Sequence, residues 1–74
     1  MRVTVRLHGM FRTGRFKEDV RELAPGGTAR ALAELLQIPV RLVGIVLIGG
    51  AHARLDDPLT EGDVVSLLPH MEGG

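Results

Sequence analysis

The chain has 74 residues, nine basic and nine acidic side chains, and 45% apolar residues. This length suits one small domain, and the apolar content is typical of a folded protein rather than a disordered one. A net charge of zero and only two aromatic residues argue against nucleic-acid binding through bulk charge or base stacking. The lack of cysteine excludes a disulfide scaffold, a thiolate metal cluster and a cysteine nucleophile.

No segment has the pattern of a signal peptide or a membrane span, because the longest unbroken apolar run covers only residues 45–48. We therefore predict a cytoplasmic protein with no membrane partner. A domain of this size buries roughly 60% of the surface of its unfolded chain. Since such a core rarely encloses an active site, the size favours a carrier, an adaptor or a subunit over an enzyme.

The first third of the chain predicts a β-hairpin. Apolar and polar residues alternate strictly over residues 2–8, which is the pattern of a half-buried strand. Residues 10–14 then form a loop, and a second strand follows over about 15–23. This second strand alternates poorly because Leu23 is out of phase with the apolar residues before it, so a bulge near Arg21 is expected.

One helix follows the hairpin. Residues 24–27 read Ala-Pro-Gly-Gly, which stops the strand, and Thr28 is a suitable N-cap for a helix over 29–37. Pro39 ends the helix because the residue before a proline disfavours the helical conformation. The apolar stripe of the helix consists of Ala29, Leu32, Leu35 and Leu36. A helix of about nine residues is marginal alone, so this stripe must pack on a sheet.

The second half of the chain predicts three strands, over 45–48, 51–55 and 64–68. Gly49-Gly50 forms a two-residue hairpin turn between the first two, and Leu59 is an isolated apolar anchor among later turns. One helix cannot cover both faces of the resulting sheet, yet the first and last of these strands are apolar on both sides. Some apolar surface therefore stays exposed unless another molecule covers it, and such surface usually marks a contact site.

Motifs for catalysis or metal binding are missing from the sequence. There is no Ser-His-Asp order, no P-loop and no dinucleotide-binding glycine pattern. The three histidines lack metal-ligand spacing, and Asp56-Asp57 lacks the alternating oxygen donors of a calcium loop. The glycines before Thr28 superficially resemble an anion-binding turn, but helix capping explains them better. We predict no bound metal and no bound cofactor.

The terminal Gly73-Gly74 pair is the candidate for chemistry. Residues 69–74 could extend about 20 Å from a domain over 1–68, at about 3.3–3.6 Å per residue. Two glycines keep this extension thin because no Cβ obstructs a narrow channel. If the carboxylate of Gly74 were activated as an acyl adenylate, a sulfur or nitrogen nucleophile could reach its carbonyl carbon freely. On the glycine pair alone, a frayed end is the simpler interpretation.

A longer pattern connects this end of the chain to a known family. Its residues read Leu59-x-x-Gly62-Asp63-x-Val65-x-Leu67-x-Pro69, followed by Gly73-Gly74. This pattern resembles the end of the ubiquitin-like sulfur carriers of the MoaD/ThiS superfamily, namely the small subunit of molybdopterin synthase and the thiamine-pathway carrier. The likeness extends more loosely over the opening Val-x-Val-x-Leu strand and the Ile/Val/Leu strand before Gly50.

The resemblance implies an α+β fold of the β-grasp (ubiquitin-like) type, with a mixed sheet of four to five strands packed on one helix and a flexible tail. It implies that an E1-like adenylyltransferase uses ATP to adenylate Gly74, and that a sulfur donor system converts the adenylate to a thiocarboxylate. Gly73 would give clearance while a larger synthase subunit receives the tail. The chain would thus be a carrier rather than an enzyme. The partner-binding residues implied are Val64, Leu68, Pro69 and Met71.

Within this family, molybdopterin-type synthesis is favoured over thiamine thiazole synthesis. The family commonly has Asn-Gly where this chain has Gly49-Gly50, and His70 and Glu72 depart from its usual tail. Because Glu72 places a charge beside the reacting end, a partner channel must pair that carboxylate. These differences leave the choice of partner open. The alternative function is a non-covalent ubiquitin-like interaction module with an unactivated tail, and modification of target lysines is a third.

Overall fold

The computed structural model describes residues 1–70 of the chain. Within this range the strands and the helix are β1 (Arg2–Leu7), β2 (Glu18–Glu22), α1 (Ala29–Leu35), β3 (Val43–Ile48), β4 (Ala51–Ala53) and β5 (Val64–Pro69). Short 3₁₀ turns cover Gly9–Arg12 and Val40–Leu42.

The strands form one mixed sheet in the order β2-β1-β5-β3-β4. β5 lies at its centre, parallel to β1 and antiparallel to β3, and the two hairpins form its outer pairs. α1 covers one face of this sheet. The predicted mixed sheet packed on one helix is therefore confirmed.

The core lies between α1 and the central strands. Alternate residues of β1 and β5 point toward the helix and are fully buried, namely Val3, Val5, Leu7, Val65 and Leu67. Leu59 is buried among them, as predicted for an apolar anchor. Phe11 is also buried, because the segment predicted as a loop forms a 3₁₀ turn that brings its ring into the core.

The two ends of α1 are fixed by different interactions. At the start, Oγ1 of Thr28 accepts a hydrogen bond from the Ala31 N–H at 3.2 Å, so the predicted N-cap is confirmed. At the end, the N–H of Ile38 donates to the carbonyl of Ala33 and the N–H of Gln37 to that of Glu34. This is a Schellman motif, and it requires the left-handed conformation that Gln37 adopts with φ 59°.

The helical stripe differs from the prediction at one position. Ala29, Leu32 and Ala33 are buried, but Leu35 is 55% exposed. At 100° per residue, Ala29 lies near the centre of the buried face between Leu32 and Ala33, whereas Leu35 lies more than a quarter turn away from that centre. The assignment of Leu35 to the core was wrong. The helix also ends two residues early, at Leu35, because the Schellman motif closes it before Pro39 acts.

The bulge predicted near Arg21 is not found. β2 pairs with β1 in continuous register from Arg2–Glu22 to Arg6–Glu18. The alternation looked poor because β2 spans only five residues, so the apolar side chains on either side of it, including Leu23, belong to connecting segments.

The second hairpin has the predicted turn. Both Gly49 and Gly50 have positive φ, 58° and 83°, as a two-residue turn of the primed type requires. β4 is shorter than predicted and ends at Ala53. β5 runs through Pro69, one residue beyond its predicted end.

Candidate functional site

The sheet face opposite α1 has an apolar centre, which we call the open face. Because Val65 and Leu67 point into the core, their neighbours Val64, Ser66 and Leu68 point to the other side of β5. The predicted partner-binding residues Val64 and Leu68 therefore share one face. Both are half-buried.

The register of β3 brings two further apolar side chains to the open face. Ile45 lies opposite Leu68, and Leu47 lies opposite Ser66. Directly opposed residues of paired strands point to the same side of a sheet. The sequence left the orientation of this apolar strand open, and the pairing decides it: Val46 and Ile48 pack toward the core, while Ile45 and Leu47 point outward.

Charged or polar side chains flank this apolar centre on two sides. Nε of Arg6 lies 2.7 Å from Oε1 of Glu18, and the same atoms of Arg2 and Glu22 are 3.4 Å apart. His52 of β4 lies opposite Leu47 at the other margin. An apolar centre with a polar rim is the usual composition of a protein interface. The open face is thus suited to bind another protein.

Pro69 lies at the end of β5 but does not share the open face. Strand alternation places it on the side of Leu67, and its Cγ lies 3.3 Å from where a Cβ on Gly9 would stand. Proline donates no ladder hydrogen bond, which a central strand tolerates only at its end. The next residue resumes the pairing, since the N–H of His70 donates to the carbonyl of Leu42 at 3.1 Å.

The last described residues are closely packed against the start of β3. A Cβ on Gly44 would stand 2.8 Å from Cα and 2.9 Å from the backbone nitrogen of His70. Gly44 lies where the register between β3 and β5 shifts by one residue. Only glycine allows the two backbones to approach so closely. This contact fixes the direction of the chain up to His70, beside the Ile45–Leu68 end of the open face.

The other predicted site residues, Met71, Gly73 and Gly74, lie outside the described residues. The structure therefore locates the base of the C-terminal segment and three of the four predicted partner-binding residues, Val64, Leu68 and Pro69.

A basic cleft of about 330 Å³ lies beside the base of the C-terminal segment and was not predicted. Its lining residues are Arg6, Leu7, His8, Arg12, Lys17 and Glu18. Nε of Arg12 donates to the carbonyl of Leu7 at 2.8 Å, which holds its guanidinium against the end of β1. No sequence signal marks the cleft, because β1, the 3₁₀ turn and the segment before β2 contribute its cations separately. Its charge would attract acidic side chains of a docked protein.

Two carboxylates have shifted pKa values, and both lie away from the open face. Hydrogen bonding to Arg30 holds the pKa of Asp56 below its usual value, and hydrogen bonding to Arg21 does the same for Asp19. Within residues 1–70, no three acidic or histidine side chains are grouped closely enough to hold a metal ion. No helix in this range is long and apolar enough to cross a membrane.

Comparison with known families identifies the chain. The model of the ThiS family matches residues 5–74, which include both terminal glycines. The chain belongs to the ThiS family. This is a family of ubiquitin-like sulfur carriers, small carrier proteins rather than catalysts, and the resemblance noted in the sequence is confirmed. A comparison with curated proteins finds no match.

Solved structures similar to this ThiS-family chain share its fold. SAMP1 from Haloferax volcanii superposes with a TM-score of 0.76 at 19% identity, with 100% of both chains covered. The HVO 2177 protein of the same organism superposes with a TM-score of 0.81 at 22% identity, with 100% of this chain and 87% of the other covered. A third similar structure is the complex of subunits 1 and 2 of molybdopterin-converting factor from Helicobacter pylori 26695. One of its chains superposes with a TM-score of 0.65 at 28% identity, with 100% of both chains covered. The predicted β-grasp fold is confirmed.

Proposed function

We propose that this ThiS-family protein carries sulfur as a thiocarboxylate on Gly74 and donates it in cofactor biosynthesis, in a molybdopterin-type pathway first and thiamine thiazole synthesis next. The observation that supports this most is the family match, which extends through Gly73 and Gly74. The location of His70 at the end of the apolar open face adds to it.

The proposed chemistry needs little from the carrier itself. The Gly74 carboxylate attacks the α-phosphorus of ATP in an E1-like enzyme, which forms an acyl adenylate and releases pyrophosphate. A sulfur nucleophile from a donor system then attacks the carbonyl carbon, and AMP leaves. Attack by hydrosulfide gives the thiocarboxylate directly. Attack by a persulfide gives an acyl disulfide, and a thiol of the donor system then cleaves its S–S bond, which releases the thiocarboxylate and leaves the donor as a disulfide. The carrier supplies a carboxylate without a Cβ beside it, which a narrow active site can admit.

The open face would hold the partner while the C-terminal segment reaches its active site. Val64 and Leu68 lie on the same strand as Pro69, so a protein bound to them is aligned with the base of that segment. In the related Helicobacter pylori complex, subunit 1 is bound to subunit 2 of molybdopterin-converting factor. We propose a larger synthase subunit as the corresponding partner here, and Pro69 and Met71 as further contacts.

The proposal is tested by incubating the protein with an E1-like enzyme, ATP and a sulfur donor. Intact mass spectrometry should find one oxygen replaced by sulfur. Deletion of Gly74, or addition of one residue after it, should abolish the change while leaving thermal unfolding unaltered. A protein that no cognate activating enzyme adenylates or thiolates would contradict the proposal.

The open face also suits a non-covalent interaction module, and two variants separate the two functions. Leu68→Asp places a charge in the apolar centre and should weaken partner binding for either function. Extension beyond Gly74 should abolish only carrier activity. A partner that binds and functions equally well with the extended chain would favour the interaction module. Stable high-mass conjugates would instead indicate modification of lysines.

A further inference from the structure

Among residues 1–70, the outer edge of β2 is one of the two edges of the sheet that pair with no further strand. The N–H of Leu7 donates to the carbonyl of Lys17 at 2.9 Å, and the N–H of Leu23 donates to that of Met1 at 2.8 Å. Odd-numbered residues of this segment therefore bond to β1. In an antiparallel pair the intervening residues turn their backbone groups the other way. The N–H and the carbonyl of Val20, at the middle of β2, thus point outward.

Both outward groups of Val20 are already bound by neighbouring side chains. Its N–H donates to Oδ1 of Asp19 at 2.8 Å, and its carbonyl accepts from Nη1 of Arg21 at 3.1 Å. The same Nη1 lies 2.6 Å from Oδ2 of Asp19. The guanidinium of Arg21 is further held over the ring of Phe16, 4.7 Å from its centroid. These two side chains and the Val20 backbone form what we call the edge cap.

Without the edge cap, β2 would offer a surface for strand addition. A free edge with unpaired N–H and carbonyl groups is a template for another strand. Two copies of β2 paired antiparallel about a two-fold axis would place Val20 opposite its counterpart, covering a side chain that is 48% exposed. The same pairing places Glu18 opposite Glu22 of the other copy.

Repulsion between those glutamates does not protect the edge, because both are already paired. Glu18 binds Arg6 and Glu22 binds Arg2 on the neighbouring strand. Protection against self-association therefore depends on the backbone being occupied. We propose that Asp19 and Arg21 close the β2 edge to strand addition by a second copy of this chain. The proposal is independent of sulfur transfer.

The test is the oligomeric state of the double variant Asp19→Ala/Arg21→Ala, measured by sedimentation velocity over a range of concentrations at neutral pH. In this variant the two hydrogen bonds of the edge cap no longer compete with those of an intermolecular ladder. The dissociation constant of the dimer should therefore be lower than that of the wild type by about tenfold or more. The matched control is Arg30→Ala/Asp56→Ala. It removes an exposed ion pair of 2.7 Å between residues that lie outside the strands, and it should remain as monomeric as the wild type.

Adding Val20→Pro to the double variant tests where the copies meet. Proline removes the outward N–H without removing a bond to β1, so it should restore the monomer. A dimer that persists, or a folded double variant that associates no more than the control, would overturn the proposal.

Amide hydrogen exchange of the wild-type protein tests the edge cap even if the double variant does not fold. The amide of Val20 should exchange more slowly than the outward amides of Glu18 and Glu22, which lack such a cap. Equal exchange at the three positions would refute the edge cap.

Discussion

Gly44→Ala is the substitution whose effect follows most directly from the structure. A Cβ at this position would stand 2.8 Å from Cα and 2.9 Å from the nitrogen of His70, where ordinary contact begins at 3.4 Å. The two backbones must separate by about 0.6 Å. Since both contacts are backbone atoms, no rotamer change can relieve them. The shift also stretches the bond from the His70 N–H to the carbonyl of Leu42, now 3.1 Å.

The expected loss of stability in Gly44→Ala combines three contributions. Overpacking costs about 1–3 kcal/mol, and loss of the hydrogen bond of His70 costs about 1 kcal/mol. The alanine reduces the entropy of the unfolded chain, which offsets about 0.4–1 kcal/mol. The free energy of unfolding should therefore fall by about 1–3.6 kcal/mol. For a domain of this size, a loss of about 2 kcal/mol lowers Tm by roughly 8–16 °C.

Thermal unfolding followed by circular dichroism measures this loss, and amide exchange of His70 should accelerate in the same variant. Gly27→Ala is the matched control, because Gly27 also lacks a positive φ and its Cβ would meet nothing closer than 3.1 Å. Its effect should be smaller. Adding His70→Ala to Gly44→Ala should not restore the lost stability, because the closest contacts are with the backbone of His70. An unchanged Tm and an equally protected His70 amide in Gly44→Ala would show that the two backbones can separate at no cost.

Four further substitutions test the helix and its ion pair. Gln37→Gly should raise the free energy of unfolding by about 0.5–1 kcal/mol in urea titrations, because glycine adopts the left-handed conformation without strain. The control is Glu34→Gly inside the helix, which should lower the free energy of unfolding by about 1 kcal/mol. Thr28→Ala should cost about 1 kcal/mol in the same assay, and no loss would show that its cap contributes nothing. Arg30→Gln should raise the pKa of Asp56 toward its usual 3.8, measured by NMR titration. A carboxylate with a lowered folded pKa stabilises the protein above its unfolded pKa and loses this contribution as pH falls through the folded value, so the variant should lose less stability in acid.

Local signals in the sequence predicted much of the fold. The alternation in β1, the N-cap Thr28 and the Gly49-Gly50 turn each depend on a few neighbouring residues, and each was predicted correctly. The bulge at Arg21 was wrong because apolar side chains outside a short strand were counted within it.

The rest of the site could not be predicted, because it depends on contacts between residues that are distant in the sequence. Val64 and Leu68 could be named from the apolar strand and the family resemblance, but the alignment of Ile45 and Leu47 with them follows from the register of β3 against β5. The approach of Gly44 to His70 joins residues far apart in the chain, and no spacing rule marks it. The cations of the basic cleft are likewise scattered along the sequence.

The central position of β5 has a mechanical consequence. Tension applied at His70 along the strand axis would be borne in shear by the ladders to β1 and β3 together, rather than opening one bond after another from an end. A pull on His70 would therefore have to break several hydrogen bonds at once before it disturbed the fold. The ladders to β1 and β3 thus hold β5 on both sides, on the strand where such a force would act.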